Sequence, residues 1–222
     1  LAHALAKEGN ELYIIDNLSE GSVENLQGID YKLHKSDITK LNLFFYDFTS
    51  FLKQMDLIYH LAASKMIYSI ENPQKDLRVN AGSIINLLEY ARIADVPLIY
   101  TSTGSIYGKA TKFPVIESHP AHPESHYGIS KYAAEQYCRL YNRLYGLKTI
   151  ILRIHSVYGP RQKPIGVIPK FIKQALNGEP MTIEGTGEQE RAFTYVEDCV
   201  RGIRTAASKG ESGETMYWSG LE

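Results

Sequence analysis

The sequence predicts an α/β protein: a doubly wound parallel sheet, with a smaller lobe begun by the C-terminal part of the chain. Three observations lead there. Short apolar runs of strand length, at 11–15, 56–61, 97–101 and 149–152, alternate with longer stretches patterned as helices. The run Pro97-Leu98-Ile99-Tyr100-Thr101 ends in a cluster of hydroxyls, Ser102-Thr103-Gly104-Ser105-Ile106-Tyr107-Gly108, where a parallel strand opens onto a ligand crevice. Shortly after that cluster comes Tyr127-Gly128-Ile129-Ser130-Lys131, which sets a phenol and an ammonium one helical turn apart on one face.

Taken in order, Leu1 to Gly9 reads as a helix closed by glycine, and Glu11 to Ile15 as a strand. Asp16 follows directly, then Asn17-Leu18-Ser19. An acidic residue at the end of the second strand of a dinucleotide-binding fold can accept hydrogen bonds from the adenosine ribose diol, and it repels a 2′-phosphate. Asp16 therefore argues for NAD over NADP; the plainer role is a turn or cap aspartate. Tyr31 to His34 reads as a third strand ending at Asp37-Ile38, where Asp37 could equally cap the next helix. From Leu41 through Leu52 apolar residues recur at helical spacing, an aromatic stripe expected in the core.

Asp56 to Ala63 is the next strand, closed by Ala62 and Ala63, whose small side chains let a flat ligand approach the backbone. Pro73 opens a long helical pattern that Pro97 ends. A further helix runs from Ser130 to Tyr145, and Thr149 to Leu152 is a buried strand. The last third reads as a helix around 171–176, a strand at Met181-Thr182-Ile183, a glycine-rich loop, and a strand-like stretch at 215–218. Both ends of the chain read as cut, within a helix-like pattern at Leu1 and just after a strand at Glu222.

The chemistry centres on Tyr127 and Lys131. A free tyrosine titrates near 10, and a cation close by favours the phenolate, so the pair makes sense as a base tuned toward working pH. The bland alternative is one of 16 tyrosines beside a solvated lysine. Net charge of −1 gives no electrostatic case for nucleic acid or an anionic membrane. No run approaches the ~18–20 apolar residues of a membrane span. Cys138 and Cys199 lack metal-ligand spacing and form no disulfide framework, which fits a reduced, cytoplasmic setting.

On the hydroxyl cluster and the Tyr-x-x-x-Lys pair, the chain resembles the extended short-chain dehydrogenase/reductases, specifically their NAD-dependent sugar epimerase/dehydratase branch. The resemblance covers nearly the whole chain and implies a Rossmann-like fold. The catalytic residues it implies are Thr103, Tyr127 and Lys131. It also implies that NAD meets Asp16, Asn17, Asp37, Ile38, the Leu61-Ala62-Ala63 segment and Lys65, with a solvated lysine the alternative for Lys65. Asn80 matches an asparagine that pins the central strand and the active-site loop. Residues 1–160 would be the NAD-binding domain, without its first strand and glycine-rich loop, and 161–222 the start of a substrate lobe. Helices near 73–94 and 130–145 would pair with their copies in a homodimer.

Residues 153–162, Arg-Ile-His-Ser-Val-Tyr-Gly-Pro-Arg-Gln, match a family pattern in which Phe-Asn is usual at 155–156. That asparagine touches the nucleotide-sugar, so Ser156 puts substrate identity in doubt. Arg191 matches the arginine that binds the nucleotide diphosphate, and Ala192 departs from the usual aspartate. Dehydratases of the family carry Asp-Glu directly after the catalytic threonine, and decarboxylases a Glu at the second place; here stand Gly104 and Ser105. The expected activity is therefore epimerisation at C4 of a UDP-hexose. The rivals are a nucleotide-sugar dehydratase, a UDP-glucuronate decarboxylase and, from another class, a non-catalytic NAD-sensing regulator. The last is disfavoured because such proteins usually lose the Tyr or the Lys.

Overall fold

The computed structural model describes residues 1–40 and 46–218. The chain begins with helix α1 (Ala2–Lys7), strand β1 (Tyr13–Asp16) and strand β2 (Lys32–Lys35). Helix α2 (Tyr46–Leu52) follows; the expected aromatic stripe lies partly outside the described residues, at 41–45. After β3 (Ile58–His60) come the short helices α3 (Met66–Glu71) and α4 (Pro73–Leu77). A π-type turn over Arg78–Gly82 joins α4 to α5 (Ser83–Ala94). Next are β4 (Leu98–Thr103), a 3₁₀ turn over Gly104–Tyr107, α6 (His126–Tyr145) and β5 (Thr149–Ile154). The C-terminal part holds β6 (Val157–Tyr158), α7 (Val167–Leu176), β7 (Thr194–Tyr195), α8 (Val196–Lys209) and β8 (Thr215–Trp218).

Among the described residues, four strands form one parallel sheet in the order β3-β4-β5-β8, and β1-β2 and β6-β7 are separate parallel pairs. Strand β4 is buried along its whole length, as a central parallel strand covered on both faces should be. Its side chains alternate between two cores. Leu98 and Tyr100 join Ile84, Leu88, Ala134, Cys138 and Ile151 under α5 and α6. Ile99 joins Ile150, Leu152, Cys199, Ile203 and Ala206 under α8. Helices therefore cover both faces, which is the doubly wound arrangement.

Two expectations need correction. Met181-Thr182-Ile183 forms no strand; Met181 and Ile183 are exposed, and Thr182 instead bonds the Gln174 side chain at the end of α7. The apolar alternation there has no sheet edge to pair with among the described residues. Helix α6 starts at His126, four residues before the expected Ser130, because Ser125 caps it through a 3.0 Å hydrogen bond from the Gly128 N–H. Tyr127 thus stands inside the first turn.

Candidate active site

Strand β4 carries its hydroxyls to the carboxyl end of the sheet. Thr103 is the last residue of the strand, and its Oγ1 caps the following 3₁₀ turn by accepting from the Ser105 N–H at 3.2 Å. The same side chain hydrogen-bonds Tyr127, which reaches it from the start of α6. Lys131, one turn further along α6, is buried. Its Nζ donates to the Thr101 carbonyl at 2.6 Å and sits 4.4 Å from the centre of the Tyr100 ring. Thr103, Tyr127 and Lys131 are thus gathered at one strand end.

The electrostatics differ from the expectation. Burial holds the Tyr127 phenol above its ordinary value, the Thr103 hydrogen bond opposes this, and the Asp76 charge adds to the rise. The ammonium of Lys131 points at Thr101 and Tyr100 and does not offset that burial. Burial also pulls Lys131 down to about 8, against Cys138, Glu135 and Asp76, which favour its charged form. Burial thus favours the neutral phenol of Tyr127 and loosens the proton of Lys131.

The residues expected around adenosine form a second cluster at the ends of β1 and β2. Asp16 Oδ1 accepts from the Leu18 N–H at 2.7 Å, so it also performs the turn role. A side chain at Gly21 would meet Asp16 Oδ2 at 2.9 Å, which keeps the loop close against the carboxylate. Asn17 hydrogen-bonds Asp37. Asp37 in turn accepts from the N–H and hydroxyl of Thr39, capping the turn that begins at Ile38. Leu61, Ala62 and Ala63 are exposed just past β3. Lys65 is ion-paired at 2.7 Å with Glu20, whose Oε2 also takes Lys163 at 2.9 Å. Asn80 is buried; its Oδ1 accepts from the Ser64 N–H at 2.8 Å, which ties the loop after β3 to the π-type turn.

On the substrate side, Ser156 adopts a left-handed backbone (φ 43°) and its Oγ lies 3.2 Å from His155 Nδ1. That nitrogen is also 3.3 Å from the Ala192 carbonyl, so the loop bearing Arg191 reaches this end of the sheet. Arg191 itself is exposed and donates to the Glu190 carbonyl; the structure does not bring it to the triad. His155 was legible in the sequence only as a departure from Phe. In the structure its ring covers Gly104: a Cβ there would come within 2.2 Å of His155 Cδ2.

A Thr, a Tyr and a Lys gathered at the carboxyl end of a central parallel strand is the geometry on which the comparisons bear. The profile of the NAD dependent epimerase/dehydratase family matches residues 1–217. The chain belongs to this family. A Methanocaldococcus jannaschii relative is 38% identical over 208 residues, 89% of this chain, and the chain spans 65% of that relative's length. UDP-glucuronic acid decarboxylase 3 of Arabidopsis thaliana is 33% identical over 94% of the chain and 62% of its own length. Among solved structures, UDP-glucose 4-epimerase of Thermotoga maritima, determined with UDP-glucose, superposes with a TM-score of 0.90. It is 34% identical, with 98% of this chain and 72% of that one covered. UDP-glucuronic acid 4-epimerase of Bacillus cereus, in complex with UDP-glucuronic acid and NAD, gives 0.89 at 30% identity, covering 100% and 73%. The family thus spans epimerases and decarboxylases on one fold. No helix among the described residues is long and apolar enough to cross a membrane.

Proposed function

We propose that the protein is an NAD-dependent nucleotide-sugar epimerase acting at C4 of a UDP-hexose. The observation that carries the choice of reaction is the contact between Gly104 and His155. Dehydration needs an added acid and base beside the sugar to expel a hydroxyl. The family's dehydratases place the first of these directly after the catalytic threonine, and here the His155 ring fills that space, within 2.2 Å of any Cβ. Ser105, at the position of the decarboxylase glutamate, is a hydroxyl committed to Thr103 at 3.2 Å. An epimerase needs neither acid.

The residues present fit NAD. Asp16 offers a carboxylate to ribose hydroxyls and no cation to a 2′-phosphate. Asn17 and Asp37, linked to each other, lie beside it for the adenosine, with the Ile38 backbone next to them. The exposed Leu61-Ala62-Ala63 segment leaves the backbone open to the dinucleotide, and Asn80 holds that segment through Ser64. Lys65 would reach the cofactor by leaving Glu20. When bound, NAD supplies a hydride acceptor that later returns what it took. Tyr127 Oη, once its own proton has left to solvent in the ligand-bound site, takes the proton of the sugar hydroxyl and gives it back to the same oxygen. Thr103 Oγ1, already hydrogen-bonded to Tyr127, holds that oxygen in line. The Lys131 ammonium, one turn on, is held by the Thr101 carbonyl and the Tyr100 ring and would turn toward the phenol and cofactor only with ligands in place. Ser156 and Arg191 would meet the nucleotide-sugar, Arg191 after its exposed loop closes.

In this reading residues 1–160 form the cofactor domain and 161–222 begin the substrate lobe, interleaved with the sheet because α8 and β8 pack onto it. The chain would work as a homodimer. Exposed Ile67, Ile70 and Leu77 on α3 and α4, with Ile129, Tyr137 and Leu144 on α6, supply an apolar face for a four-helix interface. The test is to incubate the full-length protein with UDP-galactose, UDP-glucuronate and dTDP-glucose and to follow the products. Interconversion of UDP-galactose and UDP-glucose is expected. A 4-keto-6-deoxy sugar or released carbon dioxide as the main product would overturn the proposal.

A further inference from the structure

Beneath the Tyr127–Lys131 pair lies a buried carboxylate that the chemistry above does not use. Asp76, on α4, is 1% exposed. Its Oδ2 accepts from Ser130 Oγ at 2.6 Å and its Oδ1 from Asn80 Nδ2 at 2.8 Å. Burial raises the carboxyl's pKa, while the Ser130 hydrogen bond and the charges of His126 and Lys131 oppose that rise and favour the carboxylate. Ser130 is the residue between Tyr127 and Lys131 in the same turn, and its Oγ also lies 3.0 Å from the Tyr127 carbonyl. Asn80 completes the set by bonding Ser130 Oγ at 3.1 Å and the Ser64 backbone. One carboxylate thus ties α4 and the π-type turn to the first turn of α6.

We infer that Asp76 is a positioning residue for the Tyr127–Lys131 pair, anchoring its helical turn through Ser130 and standing as a buried counter-charge to the Lys131 ammonium. This rests on the catalytic reading of that pair. The direct partners of the ammonium are neutral: the Thr101 carbonyl and the Tyr100 ring. Charge of the opposite sign reaches it from Asp76 on α4 and from Glu135 on α6, with the Cys138 thiol beside them; from β3 it is faced by His60, which burial keeps neutral. Asp76 is itself faced by Lys131 and His126 of α6. Glu135 already answers Arg153 and Arg139, at 2.7 and 3.1 Å, which leaves Asp76 as the carboxylate here with no ion pair of its own among the described residues. A carboxylate so placed favours the ammonium and opposes the phenolate: it works against the burial that lowers Lys131 and adds to the burial that raises Tyr127.

The test uses the full-length protein labelled with ¹³C at lysine Cε, which reads Lys131 directly and independently of turnover. Lys131→Met assigns the signal, and the wild-type midpoint is expected at about 8. Asp76→Asn keeps the shape and removes the charge; it should move the midpoint down and carry the alkaline limb of the kcat/KM profile with it. Ser130→Ala keeps the charge and cuts the tether; it should leave the midpoint in place, speed amide exchange at 126–129, and lower kcat roughly tenfold, a fraction of what a positioned acid–base group supplies. An unchanged midpoint in Asp76→Asn overturns the inference, whatever happens to rate. If that variant does not fold, Ser130→Ala decides: unchanged exchange with unchanged kcat overturns it. Failure of the catalytic reading looks different, since Lys131→Met would then retain turnover.

Discussion

At the scale of single residues, the site is defined by what burial does to two ionisable groups. Replacing Tyr127 by Phe removes the phenol hydroxyl beside Thr103; turnover should fall by roughly 10²–10⁴ while NAD binding persists. Calorimetry beside a rate assay checks both halves, and loss of NAD binding would count against the role. Asp16→Ala should weaken NAD and narrow its preference over NADP, as titration of both cofactors would show. Lys131 gives a pH dependence with opposite signs for rate and stability. Its folded value, about 8, is below the unfolded value of 10.5, so between these the unfolded chain holds more protons and stability rises with pH. Over the same range the site loses its ammonium, and kcat/KM should fall above pH 8. Denaturant titrations at pH 7.5 and 9.5, compared with Lys131→Met, isolate the stability gain; an equal gain in the variant would refute its origin.

At the scale of elements, the strand-to-helix step from β4 to α6 was the most legible part. Its signals are local: an apolar run, hydroxyls at the strand end, a serine cap and the Tyr-x-x-x-Lys spacing. Helices α3 and α8 were not read from the sequence. The first is six residues long, and the second buries one narrow stripe, Cys199, Ile203 and Ala206, along an otherwise polar run. Met181 to Ile183 shows the opposite failure, strand-like composition with no strand. The bond between α6 and β5 was equally hidden, because it joins residues 18 apart: Arg153 donates to both oxygens of fully buried Glu135, at 3.0 and 2.7 Å. Glu135→Ala would leave Arg153, among the described residues, to Tyr107 and the Glu117 carbonyl. Unfolding in urea should show a loss of about 3–5 kcal/mol, the usual cost of breaking a buried pair. A loss under 1 kcal/mol would mean the pair matters little.

At the scale of the whole molecule, the apolar face of α3, α4 and α6 predicts assembly. Ile70, 74% exposed, stands on that face, and Ile70→Asp should convert a dimer to monomers in light scattering while the fold survives. A wild-type monomer at micromolar concentration would end that expectation. The parallel sheet and the hydroxyl-bearing end of β4 could be read from one-dimensional patterns, and the choice of Thr103, Tyr127 and Lys131 came from the family resemblance. The pairing of Lys65 with Glu20 and the exposure of Arg191 could not, since both depend on how distant loops meet.

The seating of His155 on Gly104 has a bearing on how this protein could change. Gly104→Asp alone forces the imidazole away from the Ala192 carbonyl and Ser156, so a first step toward an acid in the pocket damages the pocket it enters. Shrinking His155 first opens the space but gains no acid. The two positions are close enough to couple, so the pair of changes should be worth far more than the sum of each. The route from one chemistry of this family to another runs here through an unfavourable intermediate, and position 155 is the gate on that route.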